Sequence, residues 1–295
     1  MSAAPPSLPR VIGNLSEISP DYDAILCDVW GVLHNGREAF APASDALVAY
    51  RRAGGKVALI TNAPRPNGPV TSQLLQLGVS PDAFDAVVTS GDVTLAMVEA
   101  RGDAPVHHIG PARDLSLFDA VAARTGKAPP RVGPEEAAYA LCTGLDHDHR
   151  ETPADYQGRL ARLAARDLPF LCANPDLIIH RGADLVYCAG ALAQAYEALG
   201  GQVTYAGKPH APIYAAALEA LGAALGRPPA RPLAIGDGLR TDIAGAAGLG
   251  IETLFVAAGI HRDETLAGEA VDPAALARLL AREGYRPAAT LATLR

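Results

Sequence analysis

Six side chains of this sequence stand where chemistry can be done: Asp28, Thr61, Asn62, Lys208, Asp237 and Asp242. All but Asp242 lie at or just beyond the end of a short apolar run. Ala24-Ile-Leu-Cys27 delivers Asp28, and Lys56-Val-Ala-Leu-Ile60 delivers Thr61 and Asn62. Val203–Ala206 delivers Lys208 within Gly207-Lys208-Pro209. Leu233-Ala-Ile235 delivers Gly-Asp237-Gly, with Asp242 five residues further on. Apolar runs bounded by acids and glycine read as buried strands, and in open parallel sheets ligands bind at the strands' C-terminal edge. An aspartate there can attack phosphorus and form an aspartyl-phosphate, dividing one hard step into two. A pair such as Asp237 and Asp242 suits magnesium, which takes few carboxylates together with waters and phosphate oxygens. A lysine neutralises a transferring phosphoryl group, and Thr61 and Asn62 would donate hydrogen bonds to its oxygens. Taken singly each has a plainer reading: a strand-end acid closing a turn, a helix N-cap at Asp242, or an exposed loop lysine.

The four segments occur in the order of the motifs of the haloacid-dehalogenase-like (HAD) superfamily, which the chain resembles over roughly residues 20–260. Gly207-Lys208-Pro209 and Ala173-Asn-Pro-Asp176 are similar to the class IIA, NagD-like branch, which includes p-nitrophenyl and pyridoxal phosphate phosphatases. The resemblance implies a Rossmannoid parallel-sheet core with an inserted α/β cap, and a phosphatase working through phospho-Asp28. It also implies an Mg²⁺ ion held by Asp28, the backbone carbonyl of Trp30 and Asp237, with Asp242 in support. Asn174 and Asp176 would then be substrate contacts from the cap.

The chain departs from the family pattern at Trp30, where the first motif usually has a second aspartate. In the family's phosphatases that aspartate protonates the leaving alcohol and then activates water, and tryptophan does neither. Such help is typically worth about 10²–10⁴-fold. Three readings follow: substrates with good leaving groups, such as acyl or aryl phosphates; a proton supplied by His34, His147 or His149; or a phosphometabolite-binding or regulatory protein without turnover. Haloacid dehalogenases also carry an aromatic residue here, but they use no metal, and Gly236-Asp-Gly-Leu-Arg-Thr-Asp242 argues for magnesium and phosphoryl chemistry. Arg65 is a further candidate phosphate contact. Asp146-His147-Asp148-His149 reads as a polar cap loop rather than a metal site.

The elements that must position these groups alternate as strand and helix, the signature of a parallel sheet covered by helices. Strands are expected at 23–29, 56–61 and 86–89, and helices at 43–53, 69–77 and 93–101, with Ser44 as N-cap of the first and Gly54-Gly55 as its stop. From 103 the pattern changes to weak strand signals at 107–109, 138–142 and 170–173, with helical text at 154–166. This segment reads as the inserted cap, so the expected domains are a core at 1–102 and 186–295 and a cap at 103–185. The core resumes with a helix at 188–199, the strand 203–206, a helix at 211–224, and strands at 233–235 and 253–256. A helix at 273–283 and a short apolar end follow.

With 295 residues, 49% of them hydrophobic and 19% charged, the chain can bury a sizeable core. A net charge of −7 gives no support for nucleic-acid binding. It also means that a phosphorylated substrate must be drawn by local positive charge or a metal. The four cysteines, each in or beside an apolar run, read as buried thiols. No run reaches the ~18 residues of a membrane span, and residues 1–19 lack the apolar core of a signal peptide, so a cytoplasmic location is expected. The expected partner is a small phosphorylated metabolite whose identity the sequence does not spell. Relatives with this cap often dimerise, so the resemblance allows a homodimer.

Overall fold

The apolar runs of the sequence become the strands of two parallel sheets. The computed structural model describes residues 9–181 and 184–295; the first eight residues of the N-terminal arm lie outside the described residues. Two compact units divide the chain. The first takes in residues 1–61, 71–87 and 214–295, and the second residues 62–70 and 88–213.

In the first unit a seven-stranded sheet runs in the order Arg10–Val11, Ala289–Leu291, Glu252–Val256, Pro232–Gly236, Ala24–Asp28, Lys56–Thr61, Ala86–Thr89. Ala24–Asp28 is buried along its whole length, as a strand flanked on both sides and covered on both faces must be. Its register is parallel on each side: Cys27 faces Ile235 across one ladder, and Asp28 faces Ile60 across the other. The tips of three adjacent strands therefore come level, and Asp28, Thr61 and Asp237 share one edge.

Two local expectations change here. The first helix spans Ala41–Arg52, beginning before Ser44, which is buried inside it and whose Oγ accepts a hydrogen bond from the Ser80 N–H at 3.0 Å. The apolar end of the chain, read only as a tail, forms the strand Ala289–Leu291 beside Glu252–Val256. The helix Pro273–Glu283 is capped by Asp272, which accepts from the N–H groups of Ala274 and Ala275.

The second unit holds a four-stranded parallel sheet in the order Val203–Tyr205, Phe170–Cys172, Tyr139–Cys142, Val106–Ile109. Its strands alternate between two cores, as the period of two requires. Ala140, Cys142, Phe170 and Cys172 pack with Leu160, Leu163, Leu192 and Tyr196 of the helices Gln157–Ala164 and Ala189–Ala198. Tyr139, Leu141 and Leu171 pack the other way, with Leu95 and Val98 of Ser90–Glu99 and Leu117 and Phe118 of Ser116–Thr125. The strand Val203–Tyr205 thus belongs to this sheet, against the expectation that it lay in the core sheet, and the helix at 189–198 covers the same sheet. An apolar run announces a strand but carries no information about which sheet it joins. The unit accordingly takes in more chain than the expected insertion at 103–185. An antiparallel hairpin, Ile178–Arg181 with Asp184–Tyr187, is an addition to the sequence reading; residues 182–183 lie outside the described residues.

All four cysteines are buried free thiols, and burial pushes the Cys142 thiol up to about 12. Among the described residues, no helix is long and apolar enough to cross a membrane.

Candidate functional site

Asp28, Asp237 and Asp242 are all buried, and each offers one carboxylate oxygen such that these oxygens lie within 4.8 Å of one another. Three carboxylates at that separation repel strongly in a partly desolvated setting, so the fold must hold them there by other bonds. Asp237 Oδ2 accepts the Ile260 N–H at 2.8 Å. Asp242 lies inside the helical turn Leu239–Ile243, and its Oδ2 turns back to accept the Gly238 N–H at 3.0 Å. Asp242 is therefore not the N-cap of a following helix. The Tyr214 hydroxyl secures the same turn, at 3.1 Å from the carbonyl oxygens of Thr241 and Asp242. The chain after Asp28 passes closely over this cluster. A Cβ at Gly31 would fall 2.2 Å from Asp237 Oδ2, and Gly31 has φ +81°, so glycine is required there on both counts. Hard oxygen donors gathered in this number fit a magnesium ion, and among the described residues this is the group that could hold a metal. Neither Ile260 nor Tyr214 was singled out from the sequence; a backbone N–H leaves no mark in it beyond the preceding Gly259.

Trp30 lies between these groups along the chain, with its side chain 53% exposed. His34, the nearest candidate for the missing acid, is buried beside it, and its Nδ1 accepts the Gly36 N–H at 2.9 Å. Burial lowers its pKa. With Nδ1 accepting that N–H, the ring carries its proton on Nε2, and taking up a second one on Nδ1 would break the bond to Gly36. That bond counts against His34 among the three histidines the sequence offers as proton sources, His34, His147 and His149.

Within the second unit, Asn62 is the centre of a clamp. Its Oδ1 accepts the Lys208 N–H at 2.7 Å, and its Nδ2 donates to the Lys208 carbonyl at 3.1 Å and to Asp176 Oδ1 at 2.9 Å. A Cβ at Gly207 would fall 2.4 Å from Asn62 Oδ1, so the glycine before Lys208 is what lets the two segments close. Both amide protons of Asn62 are engaged in this way. Its geometry is that of a residue positioning Lys208, in place of the phosphate donor expected from the sequence. Asn174 Oδ1 accepts the Asp176 N–H at 3.0 Å, which shapes the turn that brings Asp176 to Asn62. Asn174 and Lys208 are buried and Asp176 is half-buried. Thr61 is half-buried at its strand's tip, in the first unit.

The remaining polar candidates hold loops together. Asp146 accepts the Gly110 N–H at 2.9 Å and pairs with Arg159 at 2.6 Å, while Asp148 pairs with Arg113 at 2.5 Å. His149 is exposed beside Asp148 at 3.7 Å. Arg65 lies with its backbone against Gly91, where a Cβ would meet it at 2.4 Å.

Comparison with known proteins places this geometry among hydrolases. A family model described as haloacid dehalogenase-like hydrolase matches residues 25–123, and one described as HAD-hydrolase-like matches residues 205–282. The chain is 44% identical to a haloacid dehalogenase-like family hydrolase from Brucella suis 1330, covering 97% of this chain and 100% of that one, with a TM-score of 0.81. It is 27% identical over 240 residues to the ribonucleotide monophosphatase NagD of Escherichia coli K12, which is 80% of this chain and 88% of that protein. A p-nitrophenyl phosphatase from Archaeoglobus fulgidus has the same fold at 18% identity, with a TM-score of 0.71 over 92% of this chain and 96% of that one.

Proposed function

Because the chain belongs to the haloacid dehalogenase-like hydrolase family, we propose that it is a magnesium-dependent phosphatase that hydrolyses a small phosphorylated metabolite through phospho-Asp28. The observation that carries this reading is the buried group of Asp28 and Asp237 at the tips of adjacent parallel strands, with Asp242 in the turn that follows. The printed activity of the NagD relative, a ribonucleotide monophosphatase, supports it. In this reading Asp28, Asp237 and Asp242, with the Trp30 carbonyl, hold the ion. Bound there, magnesium neutralises negative charge on the phosphoryl oxygens.

Asp28 attacks phosphorus with one carboxylate oxygen. The new O–P bond forms as the ester O–P bond breaks, and the electron pair departs on the leaving oxygen. Water then attacks the same phosphorus and frees the Asp28 carboxylate and orthophosphate, its proton passing to solvent. Lys208, clamped by Asn62, supplies positive charge to the transferring group, and Thr61 donates to its oxygens. Asn174 and Asp176 shape the loop that meets the substrate. With tryptophan at position 30 and His34 Nδ1 engaged by the Gly36 N–H, neither residue protonates the leaving oxygen in this reading, which favours leaving groups stable as anions: acyl and aryl phosphates.

The test is Mg²⁺-dependent phosphate release from para-nitrophenyl phosphate and acetyl phosphate beside alkyl phosphates, with Asp28→Asn as control. Release from the first two alone, abolished in Asp28→Asn, is expected. Equal release from alkyl phosphates would refute that preference. No Asp28-dependent release, together with no beryllofluoride adduct on Asp28, would leave the reading that Trp30 also suggests, a phosphometabolite-binding protein without turnover.

A further inference from the structure

The two most exposed large apolar side chains among the described residues are Ile260, at 73%, and Trp30, at 53%. Scattered apolar side chains on a surface need no explanation, but these two stand on backbone that adjoins the same carboxylate. The Ile260 N–H donates to Asp237 Oδ2 at 2.8 Å. Gly31, the residue after Trp30, lies so close to Asp237 that a Cβ there would stand 2.2 Å from the same oxygen. The backbone segments that carry these two exposed apolar side chains thus both adjoin the acid cluster.

The indole is held in place without being covered. The His34 ring meets it edge-to-face, with centroids 5.1 Å apart and planes at 77°. His34 is itself buried and tied by the Gly36 N–H. Gly36, at φ +85°, approaches the six-membered ring so closely that a Cβ would fall 2.3 Å from Cη2. A short backbone bridge joins Trp30 to His34, and the Gly31 N–H donates to the His34 carbonyl at 2.9 Å. A large aromatic ring fixed by its own loop has lost its rotamer freedom before any ligand arrives, which lowers the entropic cost of binding one.

We propose that Trp30 and Ile260 form a specificity surface that takes the planar aromatic ring of an aryl phosphate, with the indole as the stacking platform. The inference rests on the phosphatase reading above and narrows its substrate class. Leaving-group chemistry alone does not distinguish acetyl phosphate from an aryl phosphate; a stacking surface does. An aryloxide also departs without a proton, so one substitution at position 30 matches both the missing acid and the ring that makes it dispensable.

Two measurements test this and separate its failure from that of the phosphatase reading. The first is the ratio of kcat/KM for para-nitrophenyl phosphate to that for acetyl phosphate. Stacking on an aromatic side chain is worth about tenfold, within the ~1–3 kcal/mol found when such side chains are truncated. The ratio should fall by about that factor in Trp30→Ala, recover in Trp30→Phe, and fall about threefold in Ile260→Ser, which loses apolar contact alone. An unchanged ratio in Trp30→Ala overturns the proposal. The second measurement needs no turnover. Trp30 is the single tryptophan of the chain, so its fluorescence reports on the site directly. In Asp28→Asn protein, para-nitrophenyl phosphate should quench that emission saturably, and inorganic phosphate should reverse the quenching without causing any itself. Turnover by the wild type without quenching keeps the phosphatase and overturns the stacking surface; quenching without turnover does the reverse.

Discussion

Replacing Asn62 by alanine tests whether the clamp around Lys208 has the energy its geometry implies. The substitution removes hydrogen bonds of 2.7, 3.1 and 2.9 Å, two of them to the backbone of Lys208 and one to the Asp176 carboxylate. Asn62 and Lys208 are buried. Each neutral bond contributes roughly 1 kcal/mol net, a bond to a charged group about 1.5–3, and leaving a buried group unpaired costs about 1–3. Together these give a loss of about 3–5 kcal/mol, a large share of the ~5–15 kcal/mol by which folded proteins exceed their unfolded states. The catalytic consequence is separate. If Lys208 is displaced by about 1 Å, the rate should fall by roughly 10², with kcat carrying more of the loss than KM. Urea denaturation measures the first effect and steady-state kinetics on para-nitrophenyl phosphate the second. Asn62→Asp is the discriminating companion. It keeps the acceptor for the Lys208 N–H but loses both donors and sets a carboxylate against Asp176, so it should be no more active than Asn62→Ala. A double-mutant cycle with Asp176→Ala should be non-additive by 1 kcal/mol or more, as about 0.5–3 is usual for contacting residues. Additivity, or an Asn62→Ala protein within about 0.5 kcal/mol and twofold of wild type, would refute the clamp.

Two further outcomes follow from charges away from the acid cluster. Asp85 binds Arg51 at 2.7 Å and 2.9 Å, Lys56 at 3.3 Å and the Val57 N–H at 2.9 Å; burial alone would raise its pKa, but these partners hold it below the usual carboxylate value. Asp85→Ala should therefore cost about 2–4 kcal/mol by chemical denaturation at pH 7, near the lower end for a broken buried pair, and less in acid, where the wild-type carboxylate is itself protonated. Burial holds His108 down to about 4, against the pull of Asp146 upward and with Arg131, Arg159 and His107 pushing the same way as burial. The unfolded chain takes up this proton near pH 6.5 and the folded chain only near 4, so stability is complete above about 6.5 and falls by up to about 3 kcal/mol as the pH drops to 4. In His108→Phe the slope of stability against pH between 4 and 6.5 should decrease by about one proton, and an unaltered slope would show that His108 is not held neutral.

How far the site could be read from the sequence depended on the range of the bonds involved. Asp28 and Asp237 were legible because a strand tip is a local feature: four or five apolar residues followed by an acid and a glycine. The parallel register that brings them level is the ordinary outcome of alternating strands and helices. Ser44 was misread for lack of one distant fact, that Ser80 takes its hydroxyl. The strand Val203–Tyr205 was placed in the wrong sheet because its pairing with Phe170–Cys172 is non-local. Asn62 was the most instructive case. The dipeptide Thr61-Asn62 reads as two phosphate donors, yet the amide's partners lie 114 and 146 residues away. Nothing near it in sequence records that its donors are already engaged.

Why tryptophan is tolerated at position 30 can be argued from the loop that carries it. The segment from Val29 to Phe40 is closed by main-chain bonds: Gly31 N–H to the His34 carbonyl at 2.9 Å, Leu33 N–H to the Val29 carbonyl at 2.9 Å, and Phe40 N–H to the Leu33 carbonyl at 2.7 Å. Val29, Val32 and Leu33 anchor it in the core. None of these bonds uses the side chain at 30, which is 53% exposed. The loop's path, and with it the carbonyl of residue 30 and the approach of Gly31 to Asp237, rests on these main-chain bonds, while the indole packs against the His34 ring and Gly36. In the proposed phosphatase, tryptophan at 30 keeps Asp28 and the acid cluster together but offers no proton donor at that position, so the departing charge would have to be stabilised by the substrate's own leaving group.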